Sequence, residues 1–420
     1  MLRCYDNARY SNHIVIFCWF ASFFSYLGRY NYNACIIEII TEYGITRAEA
    51  GTVSAFFFFP YMIGQAVHSI LAKRINSVAF IGAVFVLAGG INFFMPLTGP
   101  LMGMRILWCL NGVVQSALWP LMVNILTTML PVKKIAGGLV IMHTTGAAGS
   151  AGAFIISAAC LKWFPWQAVF FVPAIILLVF GIIWFFGMTA ISRKTGRHEP
   201  LPAGKQQGGP EQVRKPGWGM TLMTGGFLFA FAAAAGNGFL RDGISVWLPT
   251  YMYDTFNVES AMAVFLSVVI PVSQVGGAFF AKRIYDVCRF PFLAAMIFYG
   301  IALLSILTII LGGQNSIVLT CFCFAVCATM MTSVNTALVS FFPLIFRSSG
   351  LTAFASGHIN AFVYLGSIAA SSGFGLAADI SGWNAVLFIM GGVSVISVIF
   401  CLAGWKQSVN VLLKSHNANL

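Results

Sequence analysis

Long apolar runs separated by short polar breaks cover almost the whole chain. A helix needs about twenty apolar residues to cross a bilayer. Runs of that kind fall at about 14–40, 51–72, 77–97, 101–130, 137–161 and 166–188, then at about 220–253, 261–281, 292–311, 317–344, 350–374 and 383–405. The pattern predicts twelve spanning helices and an all-α membrane protein. One long polar stretch, about 189–218, is rich in Gly, Pro, Gln and Lys and reads as a flexible linker. It divides the chain into a bundle of six helices over 1–188 and a second over 219–420.

The two halves repeat each other. Ala72-Lys73-Arg74-Ile75 recurs as Ala281-Lys282-Arg283-Ile284, 209 positions later. Gly138-Leu139 recurs as Gly350-Leu351 at an offset of 212, and Trp166-Gln167-Ala168-Val169-Phe170-Phe171 as Trp383-Asn384-Ala385-Val386-Leu387-Phe388 at 217. These pairs occur in order, at nearly constant spacing and at the same place in each half. A parallel repeat of this kind relates two bundles by an axis along the membrane normal, with a substrate site near the midplane between them.

Composition agrees. Hydrophobic residues make up 59% of the chain and charged ones 8%, against about 25% charged in a soluble domain. The net charge of +12 is scattered over short loops, which excludes a nucleic-acid surface. The ten cysteines lie mostly inside apolar runs, without metal-ligand spacing or a disulfide framework. The first apolar run is long enough to span and is expected to stay as a helix rather than be cleaved. Of the 23 Lys and Arg, eighteen fall at the termini, the linker and the loops on one side; only Arg47 and Lys162 fall on the other. The positive-inside rule then puts both termini in the cytoplasm, as in a bacterial inner-membrane protein.

Three arginines remain within spans: Arg29, Arg105 and Arg241. Arg105 is near the end of its run and reads as an interfacial anchor. Arg29 and Arg241 are deep, and 212 positions apart, so they are repeat-equivalent. A charge at the bilayer centre costs about 2.5–3.5 kcal/mol on insertion scales and marks a functional site. Two guanidiniums facing one cavity repel each other until an oxyanion lies between them and accepts bidentate hydrogen bonds from both. Phosphate fits best. Side chains able to donate at similar depth are Tyr26, Tyr61, Gln65, His143, Asn237 and Tyr364, with Ser273, Gln274, His358 and Asn360 as weaker candidates. Asp242 and His143 are the groups that could carry a proton. Adjacent helix positions diverge, so Asp242 is expected to face a neighbouring helix and accept hydrogen bonds there rather than neutralise Arg241. Gly146, Gly149 and Gly152, and Gly350, Gly357 and Gly366, are the small residues that let helices approach. No phosphate loop, metal cluster or nucleophile triad is present, so the sequence points to no enzyme, no cofactor and no metal.

Three stretches carry a resemblance: Tyr26-Leu27-Gly28-Arg29, Leu107-Trp108-Cys109-Leu110-Asn111-Gly112 through Gln115 to Trp119-Pro120, and Leu240-Arg241-Asp242-Gly243-Ile244 through Trp247 to Pro249-Thr250-Tyr251. With Tyr364-Leu365-Gly366-Ser367 and Gly382-Trp383, they make the chain similar, over nearly its whole length, to the major facilitator superfamily. Within it the likeness is to the organophosphate:phosphate antiporters, which include glycerol-3-phosphate and hexose-phosphate transporters. The resemblance implies that Arg29 and Arg241 are the two phosphate-binding residues and that Tyr26, Tyr61 and Tyr364 line the pore. The chain departs from the glycerol-3-phosphate carriers at Tyr30 and Gln65, each where they have lysine, and at Ala147, where they have histidine. Lys73 replaces an acid in the loop signature between spans 2 and 3. The expected partners are a small phosphate-bearing anion and membrane lipid, with the carrier a monomer. A proton-coupled symporter of carboxylates or sulfonates and a sugar-phosphate sensor are the competing readings. Gly28, where related symporters carry an acid, favours exchange.

Overall fold

The computed structural model describes residues 8–72, 74–99, 101–195, 226–312, 315–346 and 352–417. Residues 196–218 of the expected linker, Lys73 and Gly350 lie outside them. The helices are α1 (Ala8–Tyr43), α2 (Arg47–Leu71), α3 (Ser77–Phe94), α4 (Met102–Gln115), α5 (Leu118–Met129), α6 (Val132–His143), α7 (Thr145–Trp163) and α8 (Ala168–Thr195). After the linker come α9 (Phe227–Phe256), α10 (Ser260–Leu266), α11 (Val269–Gln274), α12 (Gly277–Cys288), α13 (Pro291–Leu311), α14 (Ile317–Asn335) and α15 (Thr352–Asn417).

Nine helical stretches among the described residues are long and apolar enough to cross a membrane. Five of them join shorter helices: Ser77–Leu97, Met102–Met129, Lys133–Trp163, Ser260–Cys288 and Ile317–Phe346. The last, Ala355–Gln407, is 53 residues long and breaks at Gly382 (φ 75°, ψ 179°), so it supplies two spans. With α1 and α9, which are 36 and 30 residues long but more polar, twelve spans are in place. α8 runs on to Thr195, so the first residues of the expected linker are helical.

Local chemistry sets the helix ends. Gly44 (φ 62°) terminates α1, and Asn257 (φ 51°) terminates α9, both in the left-handed conformation that closes a helix. These two stops are themselves repeat-equivalent. Thr46 and Glu49 form a reciprocal capping box that starts α2: the Thr46 N–H donates to Glu49 Oε2 at 2.9 Å, and the Glu49 N–H donates to Thr46 Oγ1 at 3.1 Å. Asn76 caps α3 and Ser316 caps α14.

The described residues divide into two compact units. Of the described residues, the first draws on 8–44, those within 56–195 and Ser260–Val268, and the second on Ile45–Ala55, 226–259 and those within 269–417. In the first, α1 packs on α7 and α8, and α3 packs along α8. Its core holds Ile14, Cys18, Phe85, Leu121, Leu177 and Trp184. The Trp184 indole donates to the Val78 carbonyl at 2.8 Å, which satisfies its one polar atom without water. In the second unit the largest contact is between α9 and α15. Large apolar side chains face outward, as a lipid-bathed surface allows: Leu311 is 85% exposed, Phe279 75% and Phe186 68%.

The α9–α15 crossing is made by glycine. A Cβ on Gly238 would collide with the Val363 carbonyl, and one on Gly366 with the Ala235 carbonyl, so the two backbones touch. Gly238→Leu should therefore destabilise the protein by about 1–3 kcal/mol through overpacking. A thermal melt of the purified variant should show a clear drop, whereas Gly357→Leu, where a Cβ meets nothing within 4 Å, should melt as wild type.

Candidate functional site

In the first unit Arg29 sits among aromatic rings. Its guanidinium carbon lies 4.6 Å from the ring centre of Tyr61, 5.3 Å from Phe57, 5.4 Å from Tyr26 and 5.8 Å from Tyr30. Each face offers the negative end of a ring quadrupole to the cation. Arg29 Nη1 donates to the Tyr61 hydroxyl at 3.3 Å, and Gln65 Nε2 donates to the same oxygen at 3.1 Å. Spacing produces this group: Tyr26 and Tyr30 flank Arg29 on α1, while Phe57, Tyr61 and Gln65 follow at intervals of four on α2. Phe57 stacks on Tyr61 at 5.4 Å and packs against Trp108 at 6.1 Å. Gly149 leaves room for Tyr26: a Cβ there would lie 2.8 Å from the tyrosine's Cβ.

A cluster of buried amides lies beneath Arg29. Asn92, Asn111 and Gln115 all donate to the carbonyl of Gly28, at 3.2, 2.9 and 3.1 Å. Asn31 donates to Asn92 Oδ1 at 2.8 Å and accepts the Tyr32 N–H at 3.1 Å. Sequence reasoning gave these side chains no role beyond the resemblance. The available signal was four amides inside apolar runs, where each must find a partner.

In the second unit Arg241 and Asp242 form a bidentate pair, Nε to Oδ1 at 2.9 Å and Nη2 to Oδ2 at 3.0 Å. Their side chains are 21% and 9% exposed. The expectation that adjacent positions keep Asp242 from neutralising Arg241 is therefore corrected. The divergence of neighbours applies to the Cα–Cβ directions; the long arginine side chain folds back and its tip reaches the carboxylate. Asp242 does also accept a hydrogen bond from a neighbouring helix, from the Ser367 hydroxyl of α15 at 2.5 Å. The Ser245 hydroxyl donates to the Arg241 carbonyl at 3.0 Å.

The remaining expected site residues are placed less uniformly. Tyr26, Tyr61 and Gln65 gather at Arg29. Tyr364 is half-buried on α15, one turn before Ser367. Asn237 is fully buried: its Nδ2 donates to the Met331 carbonyl of α14 at 2.5 Å, and its Oδ1 accepts no hydrogen bond from the described residues. His143, at the end of α6, is exposed, with its ring 5.4 Å from that of Trp119. No group of three or more His, Cys, Asp or Glu with metal-binding geometry occurs among the described residues.

A third cluster lies within the second unit. Arg47 pairs with Asp254 at 2.8 Å and with Asp379 at 3.3 Å. Asp379 also accepts the backbone N–H groups of Arg47 and Ala48 at the start of α2, and the Trp383 indole donates to Asp254 at 2.9 Å.

The profile of the Major Facilitator Superfamily matches residues 18–355. The chain is similar to the membrane sensor protein UhpC of Escherichia coli (strain K12), 23% identical over 416 residues that cover 94% of this chain and 93% of that protein. It is also similar to a probable hexose phosphate transport protein of Chlamydia pneumoniae, 20% identical over 278 residues, 61% of this chain and 59% of that one. Among solved structures, a bacterial homolog of the human lysosomal transporter Spinster, in an inward-facing and unoccupied conformation, matches with a TM-score of 0.75. The identity is 13%, over 96% of this chain and 98% of that one, a likeness of fold.

Proposed function

The chain belongs to the Major Facilitator Superfamily, and we propose that within it the protein is a secondary carrier of organic anions that exchanges an organophosphate for inorganic phosphate by alternating access. It is a multi-pass membrane transporter and not an enzyme. The observation that carries the anion reading is the setting of Arg29: a cation deep in a span, caged by four rings and hydrogen-bonded to a tyrosine hydroxyl. Arg241 is its repeat counterpart, and both bind the substrate oxyanion. Tyr26, Tyr61, Gln65 and Tyr364 supply further donors. The chain is organised as two bundles, 1–188 and 219–420, joined by the linker at 189–218, the division that alternating access in a parallel repeat uses. Both termini face the cytoplasm, in line with eighteen Lys and Arg on one side against two on the other, and the bacterial relatives support a bacterial inner membrane.

Liposomes loaded with inorganic phosphate should take up labelled phosphate by counterflow, without an imposed proton gradient. Uptake that needs such a gradient would overturn exchange in favour of proton symport, a reading that the ionisable Asp242 beside Arg241 supports. A sensor is the second reading, because the sensor UhpC matches over 94% of this chain. Phosphate binding with no counterflow would select it.

A further inference from the structure

α1 is broken one residue before Arg29. Gly28 has φ −88° and ψ 18°, away from helical values, so its carbonyl turns off the helix axis. In a membrane such a carbonyl must be satisfied within the protein. One donor would suffice, yet three converge on it, from α3 and α4. All three amides are buried: Asn92 and Asn111 are 0% exposed and Gln115 2%. They are also tied together, Gln115 to Asn111 Oδ1 at 2.9 Å and Asn31 to Asn92 Oδ1 at 2.8 Å. On the far side of the break the Tyr32 N–H bonds to the side chain of its neighbour Asn31. A Cβ at position 28 would fall 2.5 Å from Leu177 Cδ1 and 2.9 Å from Asn92 Nδ2, so a side chain there would displace the clamping amide.

Buried amides are expensive to desolvate and informative only when fully bonded. A connected set that over-determines one carbonyl fixes a geometry. The residue whose geometry it fixes is the next one in the chain. We propose that Asn92, Asn111 and Gln115 are positioning residues: by clamping the Gly28 carbonyl they hold the break in α1 and so set the angle at which Arg29 leaves the helix toward its anion.

The proposal rests on the reading of Arg29 as an anion-binding group, and the test separates the two. Counterflow of labelled inorganic phosphate in liposomes is measured for wild type, Gln115→Met and Asn111→Ala, with rates normalised to folded carrier. Gln115→Met keeps the volume and removes the donor; Asn111→Ala is the second variant should the first fail to fold. A misaimed Arg29 raises the half-saturating phosphate concentration about tenfold in either variant, with the maximal rate per folded carrier within about twofold of wild type. Loss of packing alone would lower the amount of folded carrier and leave the half-saturation of the survivors unchanged; that result overturns the clamp. A wild-type protein that neither binds nor exchanges phosphate would instead overturn the anion reading.

Discussion

Arg29→Lys loses phosphate exchange, with half-saturation raised about a hundredfold or uptake below detection at equal expression. Lysine keeps the charge and so isolates what the guanidinium adds. A planar fork gives an oxyanion two parallel hydrogen bonds; an ammonium gives a point contact. Each charge-assisted bond is worth about 1.5–3 kcal/mol, so losing one of the pair accounts for most of the expected factor. The ring cage adds to it: Tyr61 and Phe57 lie 4.6 and 5.3 Å from the guanidinium carbon, a position at the end of an arginine side chain that the shorter lysine does not reach in the same way. Exchange at wild-type affinity in the lysine variant would end the model of a two-arginine site.

Arg241→Ala should do two things that a second substitution separates. It removes a proposed anion ligand, and it leaves the carboxylate of Asp242 buried without its bidentate partner. Breaking a buried pair by deleting one member costs about 3–5 kcal/mol, far more than the intact pair contributes. The variant should therefore melt well below wild type and lose exchange. Adding Asp242→Asn takes away the stranded charge and keeps an acceptor for the Ser367 hydroxyl. The melting temperature of the double variant should recover most of the loss, while exchange stays absent. Equal melting of the single and double variants would show that the carboxylate stranded by the single substitution carries no folding penalty.

The apolar runs carried the fold because a bilayer leaves a chain few choices: a span of about twenty apolar residues with internally bonded backbone is a helix. The repeat was legible for a similar reason, since both halves keep the same stops, visible now at Gly44 and Asn257. Arg29 and Arg241 stood out because a charge at that depth is too costly to keep without a use. What stayed hidden depends on side-chain reach rather than on position along a helix. The fold-back of Arg241 onto Asp242 is one case. The placement of Asn237 is another: its depth matches a donor to substrate, but its side chain turns toward the Met331 carbonyl. The convergence of Asn92, Asn111 and Gln115 on Gly28 needed three spans to be in register at once, which no single stretch of sequence encodes.

The clamp at Gly28 also has an optical consequence. A peptide carbonyl that accepts three hydrogen bonds is more polarised than one that accepts the usual one or two. Its stretching vibration falls to lower frequency than that of its neighbours along α1. An isotope-edited carbonyl at residue 28 therefore carries a resolved infrared band whose position counts the donors attached to it. During turnover that band reports, from a backbone atom one residue from the proposed anion ligand, whether the break in the first helix is kept or remade as the carrier changes state.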